Sequence, residues 1–202
     1  MTKGLKITIV LVVVALILGW MIKNTYNNLV VLDEGVKNSW AQVENVLQRR
    51  MDLIPNLVET VKGYAQFERE TLEAVINARA NATKTQINPA NMDAGELAKY
   101  MDAQNGLSSS LARLMVVVEQ YPQLKANENF LRLQDELAGT ENRIAVERRR
   151  YNESVQSYNQ KMRAFPTVVI AAMLGFQQKP YFEAPAEAKT APKVDFSGMG
   201  NK

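Results

Sequence analysis

Glu141 and Arg148 are the residues of this 202-residue chain whose types and placement could support acid–base chemistry. From Phe130 onward, apolar side chains recur three or four apart, at Leu133, Leu137, Ile144, Tyr151, Val155, Tyr158, Met162 and Phe165. That spacing lines one face of an α-helix. The two gaps in the stripe, on either side of Ile144, hold Glu141 and Arg148. A carboxylate and a guanidinium on a face meant for the core have shifted pKa values and could act as an acid and a base. Seven residues of helix separate them by ~10 Å. They cannot pair with each other, so each needs a partner on a facing element.

Composition narrows the chemistry. Histidine and cysteine are both absent, which removes imidazole bases, thiol nucleophiles, zinc sites built on them and disulfides. Di-iron bundles need Glu-x-x-His pairs and are excluded as well. The formal net charge is +3, but residues 1–23 hold Lys3, Lys6 and Lys23 and no acid. The remainder therefore balances 21 basic against 21 acidic residues, and its charge makes no case for nucleic acid.

Those three lysines flank "ITIVLVVVALILGWMI", Ile7 to Ile22. Counted from Gly4, with the Lys6 stem snorkelling, the apolar helix is ~28 Å long, close to the ~30 Å hydrocarbon thickness. A cleaved signal peptide is the competing reading. Gly19, Trp20, Met21, Ile22 and Lys23 offer no small-x-small cleavage pattern, and Trp20 suits an interfacial anchor. The sequence favours an uncleaved signal anchor. The lysines favour a cytoplasmic N-terminus and an extracytoplasmic domain.

The elements that position Glu141 and Arg148 are helices. The first runs from Asn24 to Gly63 on Leu29, Leu32, Val36, Trp40, Val43, Leu47, Met51, Ile54, Leu57 and Val61. Its stripe stays in phase across Pro55, which predicts a kink rather than a turn. "VKG", Val61 to Gly63, is a stop signal; continuation through Asn81 is the alternative. A second helix spans about Glu68 to Asn81 and includes Arg79. "NATKTQINPANMDAG" is a loop, and a third helix from about Glu96 to Tyr121 carries Leu97, Tyr100, Gln104, Leu107, Leu111, Leu114 and Val118. "YPQLKANE" turns the corner into a fourth from about Asn127 to Phe165. The first and last helices match in length, as antiparallel neighbours of an up-and-down bundle do.

With Gly63 and Ala126 at the same end, residue numbers facing each other across the first and last helices total about 189. Glu141 then lies level with Gln48, beside Arg49 and Arg50. Arg148 lies level with Ala41, beside Trp40 and within a turn of Glu44. Gly139 and Ala138 would leave room for an arginine head. A buried carboxylate held by an arginine is tolerable where an isolated one is not. The pair reads as a register lock, as single polar residues are in helical seams; with no nucleophile signature or phosphate loop, catalysis is the weaker reading.

Three long stretches carry a resemblance: "YNNLVVLDEGVKNSWAQVENVLQRRMDLIPNLVETVKGYA" (Tyr26 to Ala65), "YPQLKANENFLRLQDELAGTENRIAVERRRYNESVQSYN" (Tyr121 to Asn159) and "FPTVVIAAMLGF" (Phe165 to Phe176). By them the chain resembles the LemA family from the anchor to Phe182. The resemblance implies a single-pass bacterial membrane protein with a helical bundle domain, and no defined reaction; some relatives look like participants in building magnetosome membranes. Phe67 stands where relatives are expected to carry histidine, so that histidine is not essential here.

"AFPTVVIAAMLGF" is too short to span a bilayer. Val168, Val169, Ile170, Met173, Leu174 and Phe176 either plug the open base of the bundle, lie among lipid headgroups or meet a neighbouring subunit. Tyr151-Asn152 and Tyr158-Asn159 repeat at seven residues and read as core aromatics. Arg148-Arg149-Arg150 reads as a solvated edge.

The expected architecture is all-α. It comprises a single N-terminal transmembrane helix (1–23), an antiparallel up-and-down four-helix bundle (24–165), an apolar juxtamembrane segment (166–182) and a disordered tail (183–202). Residues 4–22 meet the lipid bilayer in a single-pass cell-membrane protein. Partners are further copies of the chain or other membrane proteins, with no nucleic acid, small-molecule substrate, cofactor or metal. The expected role is an envelope scaffold or adaptor without catalysis; the alternative is an accessory subunit of a membrane enzyme such as a peptidase. Its structural residues are Glu141, Arg148, Arg49, Arg50, Trp40, Glu44 and Pro55.

Overall fold

The computed structural model describes residues 3–64, 68–89 and 91–183. Among these are six helices and no strand: α1 (Lys3–Lys62), α2 (Arg69–Lys84), α3 (Ala94–Val118), α4 (Pro122–Lys125), α5 (Glu128–Arg163) and α6 (Thr167–Met173). Phe67 and tail residues 184–202 lie outside the described residues.

The apolar segment and the first long helix are one element. α1 runs unbroken for 60 residues, because nothing between Lys3 and Lys62 but Pro55 opposes a helix and the glycines cost only ~1 kcal/mol each. Its N-terminal part is long and apolar enough to cross a membrane, a test that signal sequences also pass, and none of that window is buried against the protein. α1 ends at Lys62, with Gly63 and Tyr64 in a turn, so the continuation through Asn81 does not form.

α1 passes Pro55 without interruption. Proline has no N–H to give the carbonyl four residues earlier, which here belongs to buried Met51. Arg79 of α2 supplies the missing donor: its Nε lies 2.9 Å from the Met51 oxygen. The defect in one helix is thereby repaired by its neighbour. α2 extends to Lys84, three residues beyond the expected end. Asp93 caps α3 by accepting from the Glu96 N–H at 2.7 Å, and Asn127 caps α5 by accepting from the Phe130 N–H at 3.0 Å. Between them "PQLK" forms the single turn α4, with Pro122 in its first turn.

α1 and α5 run antiparallel. Ser39 meets Ser154 at 2.7 Å, Arg50 meets Glu141 at 3.0 Å and Arg49 meets Glu136 at 3.4 Å. These partners' numbers total 193, 191 and 185, bracketing the 189 drawn from helix lengths. Two apolar clusters fill the interior. The basal one, toward the apolar segment, joins Leu29, Val36, Trp40, Val43 and Leu47 to Leu97, Tyr100 and the α5 residues from Ile144 to Met162. The distal one joins Met51–Val61 to Leu72, Val75, Leu107–Val118, Phe130 and Leu137. α2 therefore descends from the distal end and α3 climbs back.

α6 packs on α1 and α5, but it does not plug the base with the side chains expected to do so. Thr167 and Ala171 face inward, whereas Val168, Val169, Met173 and Leu174 are exposed. Of that set Ile170 and Phe176 are half-buried, and the Phe176 ring lies 6.0 Å from that of Tyr26. At Gly175, φ is +76°, and the N–H groups of Gly175 and Phe176 bond back to Ala172 and Ala171. This reversal motif needs a residue free to adopt the left-handed region. It sends residues 177–183 back along α5 as an extended strap.

The Pro55 repair gives a prediction. Arg79→Met should cost ~1–3 kcal/mol by stranding a buried carbonyl. In a Pro55→Ala background, where the helix supplies its own N–H, the same change should cost less than half as much. Equilibrium denaturation of the four proteins of this cycle in mild detergent measures both numbers; equal costs in the two backgrounds would refute the repair.

Candidate functional site

The polar residues of interest lie at the waist between the two apolar clusters. Arg50 is the buried charge, with only 2% of its side chain exposed. One of its terminal nitrogens donates to Ser108 Oγ and to Glu141 Oε2, both at 3.0 Å. The other makes a short bond to Oε1 of the equally buried Gln104. Three helices thus meet on one guanidinium, whose planar fork can serve three acceptors at once. Burial pulls the Arg50 pKa down, and the Glu141 carboxylate opposes that shift.

The stripe gap at Glu141 reads differently in the structure. Position 140 fills the core there: Thr140 is buried, and its hydroxyl donates to the Leu137 carbonyl at 2.7 Å. Glu141 stands at the rim, 59% exposed, and reaches in only with its carboxylate. Nor is Gly139 needed to make room, since a Cβ built there would meet nothing within 4 Å. Arg49 does not share Glu141; it pairs with Glu136 on the exposed surface.

Arg148 takes another partner than those foreseen. Its guanidinium lies over the ring of Phe182, 5.3 Å from the centroid, a cation–π geometry. Phe182 intervenes between Arg148 and Trp40, stacking on the indole with centroids 5.8 Å apart. Trp40 also meets Tyr100 at 5.4 Å and Tyr151 at 5.7 Å. Burial lowers the Arg148 pKa and the nearby Arg50 lowers it further. Glu44 is felt through Tyr100, whose phenol burial pushes up to about 12, with the Glu44 carboxylate adding to the shift. Pro55 lies outside this centre, on the distal stretch of α1.

Phe182 is the residue that sequence reasoning left unread, and the strap that carries it is held in a regular way. Asn159 clasps Lys179, donating to its carbonyl at 2.9 Å and accepting from its N–H at 3.0 Å. Asn152 clasps Phe182 identically, at 3.0 and 2.9 Å. Tyr158 donates to the Gln177 carbonyl at 2.9 Å and Tyr151 to that of Pro180 at 3.2 Å. Seven helical residues rise ~10.5 Å and three extended residues ~10 Å, so a Tyr-Asn repeat every seven residues matches strap positions three apart. Lys179 adds an ion pair to Asp33 at 3.2 Å. Burial would raise the Asp33 pKa, but bonds from Lys37 and Lys179 outweigh it and hold the carboxyl below its ordinary value.

Chemically, these groups brace rather than activate. Ser108 Oγ receives a proton donor instead of facing a base. Among the described residues no three acidic side chains converge where they could hold a metal ion. An open groove of about 1040 Å³ separates α3 from the strap, with Met101 and Asn105 on one wall and Gln178 and Tyr181 on the other.

Three outcomes are expected. Gln104→Leu should cost ~2–3 kcal/mol by denying a buried cation its acceptor, whereas Glu141→Gln, at a solvated rim, should cost less than ~1 kcal/mol. Reversal of that order in denaturation measurements would show that Glu141 carries the brace. Gly139→Ala should stabilise by ~1 kcal/mol, unless the position needs space that the structure does not show. Tyr100 and Tyr158 both have phenols raised to about 12, chiefly by burial. Their stabilising contribution is whole below the unfolded value near 10 and lost as pH climbs towards 12. Tyrosinate absorbance and loss of helical circular dichroism should rise together across that window; titration of every tyrosine near pH 10 with the helices intact would contradict it.

Residues 39–196 match the LemA family. The chain is 28% identical over 197 residues to magnetosome protein MamQ 2 of Paramagnetospirillum magneticum, covering 89% of this chain and 72% of that protein. It is 29% identical over 179 residues to magnetosome protein MamQ of Magnetospirillum gryphiswaldense, covering 80% of this chain and 66% of that one. Protein LemA of Metamycoplasma hominis is 26% identical over 149 residues, 74% of this chain and 64% of its own. The family match takes in the waist, the Tyr-Asn repeat and the strap together, and the chain belongs to the LemA family.

Proposed function

We propose that this protein is a membrane-anchored scaffold or adaptor of the bacterial cell envelope, acting through association and without catalysis of its own. Residues 4–22 span the membrane once. α1, α2, α3 and α5 form an antiparallel up-and-down four-helix bundle that stands on its extracytoplasmic face. The observation that carries this reading is the continuity of α1. One unbroken helix holds both the apolar segment and the first stave of the domain, so the domain's height and tilt are set by the anchor rather than by a linker. A stiff post in a two-dimensional sheet presents its outer helical faces at fixed height and raises their effective concentration for neighbours. Those faces are dense in charge, with Arg149, Glu153, Glu136 and Arg49 all solvated. The relatives named as magnetosome proteins accord with a role at bacterial membranes.

The experiment is cross-linking in intact cells followed by extraction in mild detergent. Because the chain has no cysteine, single cysteines placed on exposed faces of α3 and α5 report contacts without background. The expected product is a homodimer from each single-cysteine variant, and a ladder of homo-oligomers that survives extraction when one chain carries a cysteine on each of the two helices. A monomer carrying one foreign enzyme in fixed stoichiometry would replace the scaffold with the accessory-subunit reading. A membrane-impermeant maleimide that labels Arg132→Cys in intact spheroplasts would place the domain outside; labelling only after lysis would reverse the orientation.

A further inference from the structure

We propose that α6 and its flanking residues form a second membrane contact, an apolar face with a cationic rim that sinks into the headgroup layer of an anionic bilayer beside the entry of α1. This rests on reading residues 4–22 as a membrane span.

Three observations converge on it. The first is the face itself. α6 spends Thr167 and Ala171 on the protein, while Val168, Val169, Ala172 and Met173 occupy the opposite side, at the spacing that groups them on a helix. Val169 is 54% and Met173 78% exposed, and the adjoining Phe165, at 86%, is the most exposed large apolar side chain among the described residues. Such a patch on one end of a folded domain marks a contact.

The second is depth. Phe176 closes on Tyr26, which lies four residues past Ile22, only ~6 Å further along the helix axis. The headgroup layer of each leaflet occupies about that thickness. Since α1 has no break between the apolar segment and Tyr26, this depth follows from helix geometry alone.

The third is charge. From Ser154 to Phe182 the sequence has no acidic residue, nor has α1 before Asp33, whereas Lys23, Lys161 and Arg163 are exposed at this end. Apolar side chains bordered by lysine and arginine and free of carboxylates match an anionic interface. They suit a second copy of the chain poorly, because a symmetric contact would set the same cations against each other.

The test uses the full chain, which lacks native cysteine, in vesicles of phosphatidylglycerol and phosphatidylcholine and in vesicles of phosphatidylcholine alone. An environment-sensitive fluorophore is attached to Met173→Cys, to Val13→Cys in the span and to Val146→Cys on α5. The expected result is several-fold stronger quenching of the 173 label than of the 146 label by headgroup nitroxide lipids, and several-fold weaker quenching by aqueous iodide. The lipid quenching at 173 should fall in neutral vesicles and in the Lys161→Glu/Arg163→Glu variant, while the label at 13 stays quenched by deep nitroxides. A 173 label as open to iodide as the 146 label, with 13 still buried in lipid, overturns the contact and leaves the span intact. A 173 label shielded from both quenchers, with unlabelled Met173→Cys forming a disulfide between copies, also overturns it, in favour of an interface between copies. A 13 label outside the lipid removes the span and this proposal with it.

Discussion

A single buried guanidinium governs how the helices of this protein sit against one another. Arg50 is closed off from water and bonded to Gln104 and Ser108 of α3 and to Glu141 of α5. Sliding α3 against α1 by one turn would move the Gln104 and Ser108 acceptors ~5.4 Å away and strand the guanidinium in the interior, a cost of several kcal/mol; sliding α5 would forfeit only the carboxylate that Glu141 brings from the rim. Above and below this layer the core is Leu, Val, Ile and aromatic packing, which tolerates repacking far more readily than a stranded ion does. The apolar clusters hold the helices together, and Arg50 decides the register at which they meet.

Register matters because α1 transmits it to the base. Once α5 is fixed against α1, its C-terminus is delivered to the level of Tyr26, and α6 and the strap follow from there. The strap closes the basal half: Phe182 completes an aromatic cluster with Trp40 and Tyr151, under the guanidinium of Arg148. Without it, Trp40 would lose its stacked neighbour and Arg148 would border an open seam. Closing the base in this way ties α1, α5 and the strap into one packed unit.

The long elements were readable because period and length are strong signals. The α1 and α5 stripes, the stop at Gly63 and the antiparallel register rest on spacings of three and four and on two stretches of similar length. What was illegible depended on rotation within a turn. Thr140 and Glu141 are adjacent, and only packing against Arg50 and Gln104 decides which of them faces inward. Pro55 was visible as an irregularity, but its repair by Arg79 joins two helices whose crossing no local pattern specifies. The Tyr-Asn repeat reads as core aromatics, and Tyr151 and Tyr158 are buried in the basal cluster. Its asparagines are the part that packing does not require, and they mark the strap. Phe182, near the limit of the resemblance, had no periodic neighbours to give it a role.

The most direct test of the register is a disulfide across α1 and α5. Ser39 and Ser154 have their hydroxyls 2.7 Å apart, so cysteines at those positions lie within bridging distance. In native membranes, mild oxidation of the Ser39→Cys/Ser154→Cys protein should link nearly every molecule internally, while Ser39→Cys/Ser157→Cys, almost a turn out of register, should remain reduced. Equal linking of the two pairs, or linking only between molecules, would contradict the account.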